Sequence, residues 1–189
     1  MFNLLERYIS SRTDVAEETL RFICRHFKLV RARRNEILLD FDAVCGGYYF
    51  VNEGCLRLFT YNTDGLETTR FFGFKGEFCT ALPSFIEQSP AGEYLQAIAK
   101  SELLYINRPD FYRLVDTIPQ FATIYRQILE LGFINAQKRI YGFQGFDALE
   151  KVRFIIKAQP EFLLRVSNKM AASYLGISPS TLSRAKSKL

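Results

Sequence analysis

The chain has 189 residues, of which 48% are hydrophobic and 15% aromatic, and it carries a formal net charge of +5. This composition excludes a disordered chain and allows one large or two modest domains. Because the sequence has neither a basic leader nor an eighteen-residue apolar run, we expect no signal peptide, no membrane-spanning helix and a cytoplasmic location.

The cysteines argue against a metal or cluster site. They contain no C-x-x-C pair, and His26 is the only histidine that could complement them. We therefore expect no cofactor. Each cysteine lies among apolar or strand-like residues, so we expect all four to be small core side chains: Cys24, Cys45, Cys55 and Cys79. A redox-sensing role stays open for any thiol that is exposed.

The first predicted elements are two amphipathic helices, at residues 2–9 and 14–27. The hydrophobic period then changes to two, and short segments rich in aromatic and β-branched residues follow one another. Six strands are predicted, at 37–39, 48–51, 55–61, 67–72, 94–99 and 103–107. Asp64-Gly65 supplies the positive φ of a tight hairpin between two of them. Short strands at this spacing predict a β-roll or sandwich.

Helical spacing returns after Pro109, with a short helix at 110–115 and a long one that begins near Pro119. Apolar residues in the long helix recur at spacings of 3, 4, 3 and 4, which is typical of a helix packed against a partner helix. We expect this seam to form a parallel homodimer with a polar register position at its end: Phe121, Ile124, Ile128, Leu131 and Asn135. The alternative is that the stripe covers the β domain.

The C-terminal part predicts a small helical domain. Gly142 and Gly145 interrupt the long helix and predict a hinge at 142–146, after which Asp147 can cap a helix at 148–158. Residues 166–189 then form two short helix signatures that turn at Gly176. Ser167 can cap the first helix, and Ser178 followed by Pro179 opens the second. This pattern predicts a helix-turn-helix.

The second helix of this pair has a face of short donors and cations that could reach phosphates or base edges. Residues 162–189 contain five basic residues and no acidic one, so the remainder of the chain is neutral overall. Concentrated positive charge favours nucleic-acid binding over a helical hairpin that only packs. The residues predicted to contact DNA are Lys169, Ser178, Ser180, Thr181, Ser183, Arg184, Lys186 and Lys188.

The order of these elements resembles the Crp/Fnr family of bacterial transcription regulators, and most of all a short subgroup common in Bacteroidetes. Residues 54–58 and 64–67 resemble its paired strands, 76–78 the turn into its ligand cassette, and 176–184 its recognition helix. The resemblance implies an α+β fold with an N-terminal double-stranded β-helix, a jelly-roll-like β-roll that resembles cyclic nucleotide-binding domains. The implied divisions are a sensor domain at 1–117, a dimerisation helix at 118–141, the hinge, and a helix-turn-helix domain at 147–189 that lacks a full wing.

Departures from the family pattern bear on the effector. By this resemblance, the members that bind cyclic nucleotides hold the ribose with a Gly-Glu pair and the cyclic phosphate with an Arg followed by Ser or Thr. The corresponding positions in this chain are Thr80-Ala81 and Ala91-Gly92. No cation is left for a cyclic phosphate, so we expect no tight binding of cyclic AMP. By the same resemblance, iron–sulfur sensing is not expected, because the N-terminal cysteine cluster is absent. Haem sensing is not expected either, because His26 is the only histidine. An uncharged effector, or none, is expected, with candidate pocket residues Phe78, Thr80, Ser84, Tyr94, Asn135 and Gln137.

By this resemblance, Ser180 and Pro179 stand where the family's recognition helix has its usual Glu and its first basic residue. Arg184 is the base-reading residue that still matches the family. We therefore assign Arg184 to guanine, and the lysines to phosphate. The predicted function is a homodimeric regulator that binds a near-palindromic operator in double-stranded DNA, with RNA polymerase and a small effector as further candidate partners and no membrane partner. The alternative is a ligand-binding or protein-interaction module with a vestigial DNA-binding domain. An enzyme is not expected, because one histidine cannot supply a 2-His-1-carboxylate site.

Overall fold

The computed structural model describes all residues, 1–189, and divides the chain into two compact units. The first unit contains Met1–Thr60 and Phe71–Glu130, and the second contains Tyr61–Arg70 and Leu131–Leu189. This division differs from the predicted domain boundaries in two places. The long helix contributes to both units, and the tip of a β-hairpin belongs to the C-terminal unit.

The first unit contains most of the β structure and four short helices. The helices are α1 (Asn3–Ser10), α2 (Glu17–Arg25), α3 (Leu82–Glu87) and α4 (Arg108–Thr117). The strands are β1 (Lys28–Ala32), β2 (Ile37–Leu39), β3 (Gly47–Glu53), β4 (Cys55–Tyr61), β5 (Glu67–Phe74), β6 (Phe78–Cys79), β7 (Tyr94–Ala97) and β8 (Ser101–Asn107). They form two four-stranded sheets, ordered β1-β8-β3-β6 and β2-β7-β4-β5. The six predicted strands are present, whereas β1, β6 and α3 were not predicted.

The core of the first unit is built from both sheets and from the helices packed on them, since the ring centroid of Phe50 in β3 lies 5.5 Å from that of Tyr8 in α1. Phe50 pairs with Leu104 and Leu58 pairs with Leu95 across neighbouring strands, and all four side chains are at most 1% exposed. Gly54 has a φ of 94°, and a side chain there would collide with Ser101, so the turn between β3 and β4 requires glycine. The predicted β-roll is thus confirmed.

All four cysteines are free thiols and at most 6% exposed, which confirms their prediction as core residues and leaves no exposed thiol for redox sensing. Burial, together with the nearby Glu6, raises the pKa of Cys24 to about 12. Thiolate chemistry at neutral pH is therefore disfavoured at this position.

The long helix α5 (Pro119–Gly145) corrects two predictions. Phe121 and Ile124 are each 1% exposed and belong to the core of the first unit, so these two seam residues cover the β domain and cannot meet a second chain. Gly142 and Gly145 lie inside the helix, and only residues 146–147 separate it from the next one. The predicted hinge at 142–146 is therefore largely helical. Glycine has a low helix propensity, but it keeps its backbone N–H and C=O, so the hydrogen bonds of the helix can continue through it.

The remaining helices of the second unit are α6 (Ala148–Ala158), α7 (Phe162–Arg165), α8 (Asn168–Leu175) and α9 (Pro179–Lys186). Asp147 and Glu150 form a capping box, in which each side chain accepts a hydrogen bond from the other residue's backbone N–H. The predicted bounds of α6 are confirmed. No helix of the protein combines the length and the apolar character that crossing a membrane requires.

Candidate functional site

The turn between α8 and α9 has the local chemistry predicted from the sequence. The Ser167 hydroxyl accepts a hydrogen bond from the Met170 N–H at 3.3 Å, and Gly176 ends α8 with a φ of 64°. The Ser178 hydroxyl accepts from the Thr181 N–H at 3.0 Å, and Pro179 occupies the first turn of α9 without losing a hydrogen bond. Both helix starts and the intervening stop are therefore set by local residues.

One face of α9 is buried within the C-terminal unit. Leu182 is fully buried and Ala185 is 5% exposed, and α9 packs against both α6 and α8. Val152 of α6 and Leu175 of α8 are also fully buried, so apolar packing fixes the rotation of α9 about its axis. The opposite face consequently points to solvent.

The solvent face carries most of the predicted DNA-contacting residues. Arg184 is exposed, and its Nη2 donates only a long hydrogen bond, 3.4 Å, to the Thr181 hydroxyl. Four basic side chains of this region are exposed and make no ion pair: Lys169, Arg184, Lys186 and Lys188. We call the exposed residues Ser180, Arg184, Lys186 and Lys188 of α9 and the end of the chain the cationic face.

Two of the predicted contacts also have a structural role. The Ser178 hydroxyl caps α9, and the Ser183 hydroxyl donates to the Pro179 carbonyl at 3.0 Å. Ser183 also accepts from the Asn168 side-chain amide at 3.3 Å, and the same amide donates to the Pro179 carbonyl at 3.1 Å. Asn168 therefore joins α8 to α9. The sequence analysis missed this residue, although its place directly after the Ser167 cap puts it beside the turn.

The candidate effector residues of the first unit are engaged within the fold. The Thr80 hydroxyl donates to the Gly47 carbonyl at 2.8 Å. The Ser84 hydroxyl accepts from the Cys45 N–H at 2.9 Å and donates to the Ser89 carbonyl at 2.6 Å. Both side chains are at most 6% exposed, so neither offers a free hydrogen-bonding group to a ligand.

The other four candidates are divided between the two units. Phe78 is a core residue whose ring lies 5.0 Å from Phe50 between centroids, and Tyr94 stacks on Phe59 at 5.1 Å. Asn135 and Gln137 belong to the second unit, and Asn135 is exposed. The position expected to hold a phosphate-binding arginine, Ala91, is 2% exposed, and its N–H donates to the Ala43 carbonyl at 3.0 Å.

The second half of α5 presents an exposed apolar strip. Its members are 45–71% exposed: Phe133, Ile134, Ile140 and Tyr141. At about 100° per residue they lie on one side of the helix, with Gln137 between them. Leu131 is 50% exposed beside them. An apolar strip of this size on a long helix is typical of an interaction surface.

Comparisons with known proteins agree with this architecture. Residues 29–117, just under half of the chain, match the family model of the cyclic nucleotide-binding domain. FixK2 from Bradyrhizobium japonicum superposes with a TM-score of 0.75 at 19% identity, over 86% of this chain and 84% of FixK2. A transcriptional regulator of the Crp/Fnr family from Eubacterium rectale superposes with a TM-score of 0.70 at 14% identity, over 93% of this chain and 83% of that chain. The protein has the fold of the Crp/Fnr regulators.

A further structure with this fold is CLP from Xanthomonas campestris, described as a c-di-GMP-responsive global regulator. Its TM-score is 0.72 at 18% identity, and the match covers 92% of this chain and 91% of CLP. No curated protein sequence matches the chain. The predicted resemblance to the Crp/Fnr family is thus confirmed as a shared fold, and residues 29–117 are similar to the cyclic nucleotide-binding domain.

Proposed function

We propose that this protein is a homodimeric, sequence-specific DNA-binding transcription regulator of the Crp/Fnr type. The observation that carries the proposal is the cationic face. It combines three exposed basic side chains that make no ion pair with the exposed Ser180, on and just after a short helix that buries Leu182 and Ala185. A helix of this kind, capped and held by a second helix, has the dimensions to enter a DNA major groove.

Each residue of the cationic face has a distinct role in this proposal. Arg184 contacts guanine O6 and N7 with its fork of donors, which is the commonest sequence-specific contact of proteins with DNA. Lys186, Lys188 and Lys169 contact phosphates and release counterions. Ser180 and Thr181 lie at the start of α9, where recognition helices contact bases. The proposal includes no catalytic residue.

The exposed strip of α5 supports dimerisation, with a seam that differs from the predicted one. Phe121 and Ile124 are buried in the first unit, whereas Ile134 and Tyr141 are exposed. Ile134, Gln137 and Tyr141 are spaced by 3 and 4 residues, as in a helix packed against an identical helix. Two copies joined there would carry two recognition helices, which must lie about 34–36 Å apart to meet successive major grooves.

Control of the regulator would come from an effector other than cyclic AMP, or from none. The hydroxyls of Thr80 and Ser84 are used within the fold, and Ala91 offers no charge. Response to c-di-GMP by CLP is a precedent for a different effector on this fold. RNA polymerase is a further partner under this proposal.

Selection of bound sequences from a random duplex pool tests the proposal. We expect a two-fold symmetric consensus with half-sites about one DNA turn apart, and an affinity that falls steeply as salt rises. Absence of enrichment in dilute buffer would contradict the proposal. It would favour the alternative, a ligand-binding or protein-interaction module with a vestigial DNA-binding domain.

A further inference from the structure

Arg139 of α5 donates hydrogen bonds to three backbone carbonyls of the second unit. Its Nη1 donates to the Arg70 carbonyl, and its Nη2 donates to the carbonyls of Thr69 and Tyr174, both at 3.0 Å. Thr69 and Arg70 belong to the hairpin segment Tyr61–Arg70, and Tyr174 belongs to α8. One guanidinium therefore joins three elements of the second unit.

The acceptors at this site are backbone carbonyls of the kind that an arginine guanidinium binds. β5 is at the edge of its sheet, where backbone groups on the open side are accessible to other elements, as the Thr69 N–H and carbonyl are to Ser173 and Arg139. Tyr174 lies in the last turn of α8, where carbonyls have no partner within the helix and the helix dipole attracts cations. A guanidinium has five donors in a rigid fork and no acceptor, which matches several carbonyls at once.

A second contact ties α8 to the same strand. The Ser173 hydroxyl donates to the Thr69 hydroxyl at 2.6 Å and accepts from the Thr69 N–H at 3.0 Å, and Thr69 is fully buried. The Arg139 guanidinium also lies 4.2 Å from the centroid of the Tyr174 ring and 4.9 Å from that of Phe143. Burial lowers the pKa of Arg139, and the Tyr174 hydroxyl raises it.

We propose that Arg139 is a positioning residue, which together with Ser173 clasps α8 to the hairpin and so fixes the orientation of α9 for a DNA operator. This inference rests on the proposed function and assigns a role to residues outside the cationic face. The clasp leaves the cationic face exposed, so it is compatible with DNA binding. Because two recognition helices fit one duplex in one arrangement only, a loosened clasp lowers operator affinity by adding conformational freedom that binding must remove.

The test compares Arg139→Met and Ser173→Ala with the control Arg126→Met in the full-length protein. Arg126 lies on the same helix, is largely exposed and pairs only with Glu130 across 3.8 Å, so its loss removes a charge from α5 without touching the clasp. We expect both clasp variants to lose about tenfold or more in affinity for the selected operator, with unchanged affinity for random duplex. Amide hydrogen exchange of Thr69 and of α8 should become faster in both, but not in Arg126→Met.

Three results would decide against the clasp. Unchanged exchange at Thr69 in both variants would show that the contact does not hold the hairpin. Unchanged operator affinity would show that it does not position α9, and equal losses on operator and random duplex would assign Arg139 to general DNA contact. If the wild type binds no duplex at all, the proposed function fails by itself. Faster exchange in Arg139→Met and Ser173→Ala alone would still support the clasp in that case.

Discussion

At the scale of single residues, the side chains on α9 separate into those that build the helix and those that are available to a partner. Ser178 and Ser183 make hydrogen bonds that start α9 and join it to α8. Arg184 and Lys186 are exposed, and neither makes an ion pair. The sequence predicted all four as DNA contacts, because residue type and spacing do not reveal which hydroxyls the backbone already uses.

Arg184→Ala and Lys186→Ala form a matched pair for testing the proposed recognition of DNA. Arg184→Ala should lose about 1–3 kcal/mol of discrimination at one base pair, because a bidentate contact to guanine disappears. Lys186→Ala should weaken binding to all sequences alike and reduce the salt slope by about one, because one phosphate contact is lost. Competition assays with operator and random duplex measure both. Equal losses on the two duplexes for Arg184→Ala would contradict its assignment to a base.

Ala91 is the residue that decides the expectation for cyclic AMP. Its buried backbone N–H pairs with the Ala43 carbonyl, and its side chain has neither charge nor donor. We expect isothermal titration with cyclic AMP to show no binding at micromolar concentrations, because a buried phosphate without a cation loses a charge-assisted contact. Adenosine serves as the control ligand that lacks the phosphate. Micromolar or tighter affinity for cyclic AMP would contradict this prediction.

At the scale of elements, α5 has two functions along its length. Its first half supplies Phe121 and Ile124 to the core of the β-roll, and its second half presents the exposed strip that includes Ile134 and Tyr141. The 3-4 periodicity in the sequence located the helix correctly. It placed the dimer seam partly on core residues, because a stripe that packs on a sheet and a stripe that packs on a second helix have the same period.

Substitutions on α5 test the relocated seam. Ile134→Glu combined with Tyr141→Glu should convert the dimer to a monomer in sedimentation velocity, since it would bury two carboxylates in an apolar contact. Circular dichroism should stay unchanged, because both residues are exposed in one chain. Leu164→Glu is the matched control, since Leu164 is apolar, 86% exposed and lies on α7 rather than α5. If the Ile134→Glu/Tyr141→Glu variant remained dimeric, this strip would be excluded as the interface.

At the scale of the whole molecule, charge is distributed unevenly along the chain. The five basic residues of 162–189 account for the net charge of +5, and the other twenty balance the twenty acidic residues. Such a distribution attracts a polyanion to one end of the chain and leaves the remainder neutral. It also makes ionic strength the first variable to control in any measurement of DNA affinity.

The sequence by itself determined the features that depend on neighbouring residues. The cap at Asp147, the glycine stop at Gly176, the Ser178 cap and most strands were predictable, because each follows from contacts within a few residues or from a simple period. The basic character of the C-terminal segment was equally readable, since charge does not depend on the fold.

Only the tertiary structure decided which of these residues meet. Arg139 and Thr69 are 70 residues apart, and nothing in the sequence near either one indicates that they are partners. The same holds for Thr80 and Ser84, whose hydroxyls could have served a ligand until the fold placed backbone groups beside them. The physical reason is that local energetics fix each element, whereas the choice of partner across the chain depends on how complete surfaces pack.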